Sequence, residues 1–252
     1  MAQNGARGVQ SVERALEILE LITDVGGEVT LSELSAHTDL PLPTIHRLLR
    51  TLVGRGYARQ LPNRRYSLGA KLIRLGEVAG SQLGGAATPY LKEIVDTLDE
   101  TANMAILESD MVVYIAQVPS KHSMRMFTEV GHRAHLHDTG VGKAILGELD
   151  DAEVRRIVER TGMPTPTPKS LGTIDALLDE LARVRERGYS IDEEEQELGV
   201  RCFSMIVPDA PTPMAISVSG PVSRVDDTFA ERAVPTLRDA AAKISKTLAQ
   251  QG

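Results

Sequence analysis

Only one cysteine, Cys202, occurs in the 252 residues, which excludes an intramolecular disulfide framework and any zinc site built from several thiolates. Tryptophan is absent, and five tyrosines and three phenylalanines are the whole aromatic complement. The core must therefore come from Leu, Ile, Val, Ala and Met. Long apolar runs are missing too. One of the two longest uncharged stretches, 210–223, carries three prolines, and it falls short of the ~18 apolar residues of a membrane span. The opening MAQNGARGVQ has no apolar segment of the secretory type. These absences point to a soluble, cytoplasmic protein with no membrane partner.

What is present is an ordinary globular balance, 42% hydrophobic and 25% charged, in a length that suits one large domain or two small ones. The formal net charge of −7 argues against nucleic acid when taken whole. Its distribution argues otherwise. Residues 40–75 hold Arg47, Arg50, Arg55, Arg59, Arg64, Arg65, Lys71 and Arg74 and no acidic residue. Such asymmetry suggests a basic contact surface on an otherwise acidic molecule, with a solvated charged face as the bland alternative.

Local patterning decides between them. Ser11 is placed to cap a helix whose apolar residues Val12, Ala15, Leu16, Leu19 and Ile22 share one face, ending at Gly26-Gly27. Thr30-Leu-Ser-Glu33 has the form of a capping box that opens a second, short helix. Pro41 and Pro43 suit the first turn of a third helix, where Ile45, Leu48, Leu49 and Leu52 line one face. Thr44, His46, Arg47, Arg50 and Thr51 then project from the other. Two short helices with a tight turn form a helix-turn-helix, whose second helix fits the major groove. Residues 57–60 and 66–68 read as two short strands around Leu-Pro-Asn-Arg-Arg, a hairpin wing with Arg64 and Arg65 at its tip. The candidate DNA contacts are Pro43, Thr44, His46, Arg47, Arg50, Arg64 and Arg65.

Ser11-Val-Glu-Arg-Ala-Leu-Glu-Ile-Leu19, Leu40-Pro-Leu-Pro-Thr-Ile-His-Arg-Leu-Leu49 and Tyr66-Ser-Leu-Gly69 resemble the amino-terminal domain of IclR-family transcriptional regulators. The following Ala-Lys-Leu-Ile-Arg-Leu-Gly-Glu-Val-Ala79 is similar to the family's linker helix. The resemblance continues through Gly131-His-Arg-Ala-His-Leu-His137, Gly142-Lys-Ala-Ile-Leu146, Arg187-Gly-Tyr-Ser-Ile-Asp-Glu-Glu194 and Ile216-Ser-Val-Ser-Gly-Pro221. It implies a two-domain α/β (α+β) chain: a winged helix-turn-helix over 1–69, a linker helix over 70–84 and a GAF-like effector domain over 85–252.

Read from the residues alone, the second half alternates helices and strands. Helices are expected at 86–100, 140–148, 150–160, from Thr173 to Gly188 and at the C-terminus, where Leu237, Ala241, Ile244 and Leu248 are in register. Asp150 and Glu153 form a candidate capping box. Strands are expected at 102–108, 111–117, 125–130, 189–192, 200–207 and 215–219, giving helices around a mostly antiparallel sheet. Asp138-Thr-Gly-Val-Gly-Lys143 matches neither the P-loop nor the dinucleotide pattern, because His137 and Ala144 fail the first and Ile145 the second. It remains a small-residue turn that opens a helix. The N–H groups of Gly140, Val141 and Gly142 there suit a small anion, or form a plain Gly-rich start. Strand period two puts Ser217 and Ser219 on one face, toward water or a polar pocket, and Ile216 and Val218 on the other.

Within the family, Ser123-Met-Arg-Met126, Gly131, Leu136-His137 and Gly140-x-Gly-Lys143 are most similar to the allantoin-utilisation repressors, which sense glyoxylate. That likeness implies an effector site at Gly140, Val141, Asp192, Cys202, Ser217 and Ser219. Asp138-Thr139, Val141, His132 and His135 depart from the subgroup's pattern and would resize the pocket. The implied protein is a homodimeric or tetrameric repressor that binds double-stranded DNA at a pseudo-palindromic operator and senses a small carboxylate. It has no cofactor and no catalytic residues. Alternatives are an aromatic acid or another metabolite as effector, and a metal held by His135 and His137 with Cys202 as a distant third ligand. An enzyme reading lacks a G-x-S-x-G or Cys-His signature.

Overall fold

The computed structural model describes residues 8–126 and 129–250. Packing divides the chain into two units, Met1–Ala79 and Gly80–Gly252, and the dividing point falls inside one helix.

The first unit is built as α1 (Gln10–Asp24), β1 (Glu28–Val29), α2 (Leu31–His37), α3 (Leu42–Arg55), β2 (Ala58–Gln60) and β3 (Tyr66–Leu68), followed by the start of α4 (Lys71–Gly84). Ile18, Ile22, Val29, Leu34, Ile45, Leu49, Leu52 and Tyr66 close its core. The capping box of α2 is formed: Glu33 N–H donates to Thr30 Oγ1 at 3.1 Å and Thr30 N–H to Glu33 at 2.7 Å. The order β1-β3-β2 adds a strand, Glu28–Val29, that composition did not suggest.

Two local expectations are corrected here. Helix α1 starts after Val9, without a side-chain cap, so Ser11 lies inside it. Its buried face centres on Ile18 and Ile22, whereas Val12 and Leu16 are exposed. The helix carries a second apolar stripe of Val9, Val12 and Leu16, and periodicity alone does not choose between two stripes. In α3, Pro41 is the N-cap residue and Pro43 occupies the first turn; neither costs a helical hydrogen bond.

The second unit contains α5 (Thr88–Leu98), β4 (Thr101–Glu108), β5 (Met111–Val118), β6 (Arg133–Ala134), α6 (Gly140–Gly147), α7 (Asp151–Thr161), α8 (Ile174–Arg187), β7 (Ser190–Glu193), β8 (Val200–Ile206), β9 (Met214–Pro221) and α9 (Ala230–Ala249). Its six strands pair antiparallel in the order β6-β5-β4-β9-β8-β7. One face, with Ala102, Met104, Phe203, Met205, Ile216 and Val218, packs on α5 and α9. The other packs Ala105, Val112 and Ala215 on α6, α7 and α8. No helix among the described residues is long and apolar enough to cross a membrane.

Residues 125, 126, 129 and 130 form no strand, and 127–128 lie outside the described residues. The edge strand falls instead at Arg133–Ala134, where Ala134 faces the α6 side. Asp150 accepts from Glu153 N–H at 2.8 Å, but the return bond of a capping box is not formed.

Candidate effector pocket and nucleic-acid interface

Alternation along the strands of the second unit sorts its polar residues onto one sheet face. Ile216 and Val218 enter the α5–α9 core, so Ser217 and Ser219 turn to the other side, and both are buried. Register then lines up two rows across the sheet. Thr101, Ser219, Cys202 and Asp192 are successive cross-strand partners, and so are Asn103, Ser217, Ser204 and Ser190. Every one of these eight is buried. A bulge in the β4–β5 pairing, between Met104 and Ala105, sets Tyr114 opposite Ala105 and keeps Gln117 opposite Asn103. Gln117 Nε2 donates to Asn103 Oδ1 at 2.9 Å.

The N-terminus of α6 closes on this polar floor. A Cβ on Gly140 would stand 2.4 Å from Ser204 Oγ and 3.1 Å from Cys202 Sγ, so any side chain there would displace the Ser204 hydroxyl and fill the space above the floor. Thr139 caps the helix, and its hydroxyl accepts the Gly142 N–H at 3.1 Å. This corrects the expectation of three available donors, because Gly142 is already committed and Gly140 and Val141 remain. Ser190 Oγ donates to the Gly140 carbonyl at 2.6 Å, fixing the turn on β7.

Charge in this region is buried as well. Asp192 is not part of a solvated acidic surface: it is buried, and its Oδ1 accepts the Glu195 N–H at 2.7 Å. Burial pushes its carboxyl up to about 7, against the pull of that hydrogen bond and of the Lys143 ammonium. Lys143, fully buried, pairs with Glu195. Burial also raises the Cys202 thiol, with the Asp192 charge adding and the Ser204, Ser219 and Ser217 hydroxyls opposing. Cys202 Sγ lies 3.2 Å from Ser204 Oγ. The Tyr114 phenol is pushed up by burial and then by its acidic neighbours Cys202, Asp192 and Asp138.

The structure thus brings together all six of the residues expected at the effector site. It adds Asn103, Thr101, Ser204, Ser190 and Tyr114, which sequence reasoning missed. The signal for four of them was available: Thr101-x-Asn103 and Cys202-x-Ser204 repeat the polar period two of Ser217-x-Ser219, and Ser190 stands two before Asp192. Tyr114 required the bulge. His135 and His137 are close, with ring centroids 5.6 Å apart. However, His137 Nε2 donates to the Pro164 carbonyl at 2.8 Å, and burial lowers its pKa. Among the described residues no group of three His, Cys, Asp or Glu side chains could hold a metal ion.

In the first unit, the outer side of α3 presents Pro43, His46, Arg47 and Arg50 to solvent, with Thr44 half-buried. No ion pair engages Arg47, Arg50 or Arg64 among the described residues. At the wing, Arg64 is exposed with φ of 64°. Arg65 differs from the sequence expectation of a second tip contact: its Nη2 donates to Glu33 and to the Glu28 carbonyl, both at 2.9 Å. It ties the wing to the start of α2, and the Arg65 interaction helps hold the Glu33 carboxyl low, after the capping bonds from Thr30.

Comparison with known proteins agrees with this architecture. Residues 11–62 match the IclR helix-turn-helix domain, and residues 77–246 match the bacterial transcriptional regulator IclR C-terminal domain. The transcriptional repressor IclR of Escherichia coli is 36% identical over 87% of this chain and 82% of its own length. The transcriptional repressor AllR of the same organism is 33% identical over 96% of this chain and 91% of its own. Among solved structures, the regulator from Alicyclobacillus acidocaldarius superposes with a TM-score of 0.85 at 28% identity, covering 96% of this chain and 99% of that one.

Proposed function

The chain belongs to the IclR family of bacterial transcriptional regulators, and from that premise we propose a repressor that reads a pseudo-palindromic operator and answers to a small carboxylate. Its relatives are transcriptional regulators and not enzymes. The observation that carries the effector half is the buried polar floor beside the start of α6, where among the described residues no backbone hydrogen bond engages the Gly140 or Val141 N–H. Backbone donors at a helix N-terminus favour a carboxylate. The Ser217 and Ser219 hydroxyls suit the oxygens of an oxoacid, while Asp192 offers a protonated carboxyl or an acceptor for a ligand hydroxyl. Glyoxylate, the smallest oxoacid, is the first compound to test, and the likeness to AllR supports that choice.

For the operator half, Arg47 and Arg50 on α3 provide groups for base edges and phosphates, and Arg64 provides the wing contact. A homodimer or tetramer would then meet half-sites separated by one B-DNA turn, ~34–36 Å, or a multiple of it. A ligand changes operator affinity only by binding two conformations unequally.

The test is a thermal-shift and calorimetric series with glyoxylate, pyruvate and an aromatic acid such as 4-hydroxybenzoate. Saturable binding of an oxoacid that disappears in Ser217→Ala/Ser219→Ala supports the proposal. Binding of the aromatic acid alone would transfer the site to the other effector class. A response to no carboxylate at all would overturn the effector half. Operator binding unaffected by Arg47→Ala at several salt concentrations would overturn the placement of α3 in the groove.

A further inference from the structure

Two residues before Gly140, Asp138 opens onto a cavity of about 380 Å³ walled by His132, His135, Pro164, Pro166 and Gln196 among others. Asp138 is only 5% exposed, and its Oδ1 has no hydrogen-bond partner among the described residues. His135 Nδ1, in the same wall, is also buried and unpartnered. The groups that could have answered them are engaged elsewhere. Arg133 donates to the Glu108 carboxylate and carbonyl at 3.1 and 3.0 Å. His137 donates to Pro164, and Lys143 to Glu195. A buried polar atom left without a partner is costly, so a pair of them facing one cavity calls for a group that supplies what is missing.

The chemistry of that group follows from the wall. An acceptor on Asp138 asks for a donor, and the imidazole nitrogen of His135 can answer an acceptor on the same group. A cation is opposed by Arg133 in the wall and by His135 and Lys143, whose charges act on Asp138. A further carboxylate would repel Asp138. What remains is a neutral group that both donates and accepts, a hydroxyl or a carboxamide. Asp138 stands two residues before Gly140, at most ~7 Å of chain, and its charge acts on Tyr114 together with those of Cys202 and Asp192, so a tail of a few carbon atoms on a ligand at Gly140 and Val141 is the length to test.

We infer that Asp138 and His135 form a second recognition point, reading a neutral hydroxyl or carboxamide at the far end of an effector whose carboxylate sits at Gly140 and Val141. This rests on the carboxylate reading above, and glyoxylate would fill only the anionic end of the site. The preferred effector is accordingly longer than two carbons and carries such a group.

Calorimetry on the full chain with matched acids tests it: pentanoate against 5-hydroxypentanoate and against glutaramate. In the unaltered protein the substituted acids should bind about tenfold tighter than pentanoate, the effect of one well-made hydrogen bond to a buried group. In Asp138→Ala that ratio should fall to about one. Asp138→Asn, which keeps the shape and an acceptor, should retain an intermediate ratio and covers the case in which the alanine variant does not fold. Equal affinities in the unaltered protein, or a ratio that survives in both variants, would overturn the second recognition point while leaving carboxylate binding standing. Binding of no acid, glyoxylate included, would remove the carboxylate reading and this inference with it.

Discussion

Lys143 and Glu195 stand 52 residues apart in the chain and meet as an ion pair from which water is excluded. The pair joins α6 to the turn after β7. That turn is held from the other side by Thr167 and Ser170, whose hydroxyls donate to the Glu195 carbonyl at 3.1 and 2.6 Å. Removing one partner leaves a buried charge uncompensated, which costs about 3–5 kcal/mol, whereas replacing both by apolar residues is often neutral. Lys143→Met should therefore lower the urea midpoint strongly, and Lys143→Met/Glu195→Leu should recover most of the loss. A single variant that costs under about 1 kcal/mol would show that the pair is solvated.

The two wing arginines should behave differently despite being adjacent. Arg64 has no ion pair among the described residues, so Arg64→Ala should weaken operator binding and reduce the slope of log affinity against log salt by about one. Arg65 is committed to Glu33 and Glu28. Arg65→Ala should lower thermal stability only slightly, because so exposed a pair contributes little, and leave the salt slope nearly intact. Electrophoretic mobility titrations over a salt series, with melting curves on the same samples, separate the two. Equal salt slopes for both variants would make Arg65 a phosphate contact after all.

Much of this was legible in the sequence because it rested on local rules. The capping box at Thr30, the buried face of α3 and the spans of α5 and α8 follow from spacing alone. The shared face of Ser217 and Ser219 followed from strand alternation, and their place in a candidate effector site from the family resemblance. The misses came from partners distant in the chain. Nothing near Asp192 in sequence announces that Lys143 and Cys202 remove it from water, and the Asp-Glu-Glu-Glu run resembles any solvated surface. The bulge that turns Tyr114 toward the polar floor leaves no mark in the hydropathy pattern. Arg65 reads as a wing charge until Glu28 and Glu33 are brought beside it by folding.

Asp192 gives a stability signature with a defined sign. Its ordinary value is 3.8 and burial raises it to about 7 in the folded chain. Folding therefore favours the protonated form, and the associated stability is fully present below about pH 4 and lost as pH rises through about 7. Facing it are Lys143, Glu195, Cys202 and Tyr114; Lys143 lowers its pKa while Glu195 raises it. Asp192→Asn removes the titration, so the variant should gain on the unaltered protein as pH rises from about 4 to about 7, with the difference constant above that. At about 1.4 kcal/mol per pKa unit, the gain is on the order of a few kcal/mol. Urea unfolding at several pH values measures it, and a difference independent of pH would refute the buried ionisation.

Gly140 and Gly142 occupy the same helical turn but should differ in what they tolerate. A Cβ on Gly142 would lie 2.2 Å from the Leu136 carbonyl oxygen and 2.5 Å from its Cα, so backbone would have to move. A Cβ on Gly140 meets Ser204 Oγ at 2.4 Å, a hydroxyl that can rotate away. Overpacking of a rigid site costs roughly 1–3 kcal/mol or more. Gly142→Ala should fall at or above that range, and Gly140→Ala well below it. Their effects on ligand should run the other way. Gly140→Ala places a methyl between the helix N-terminus and the Cys202–Ser204 floor, so it should abolish oxoacid binding in a protein that still melts near the unaltered temperature. Paired melting and calorimetry decide this: a Gly140→Ala variant that binds normally would move the ligand away from this end of α6.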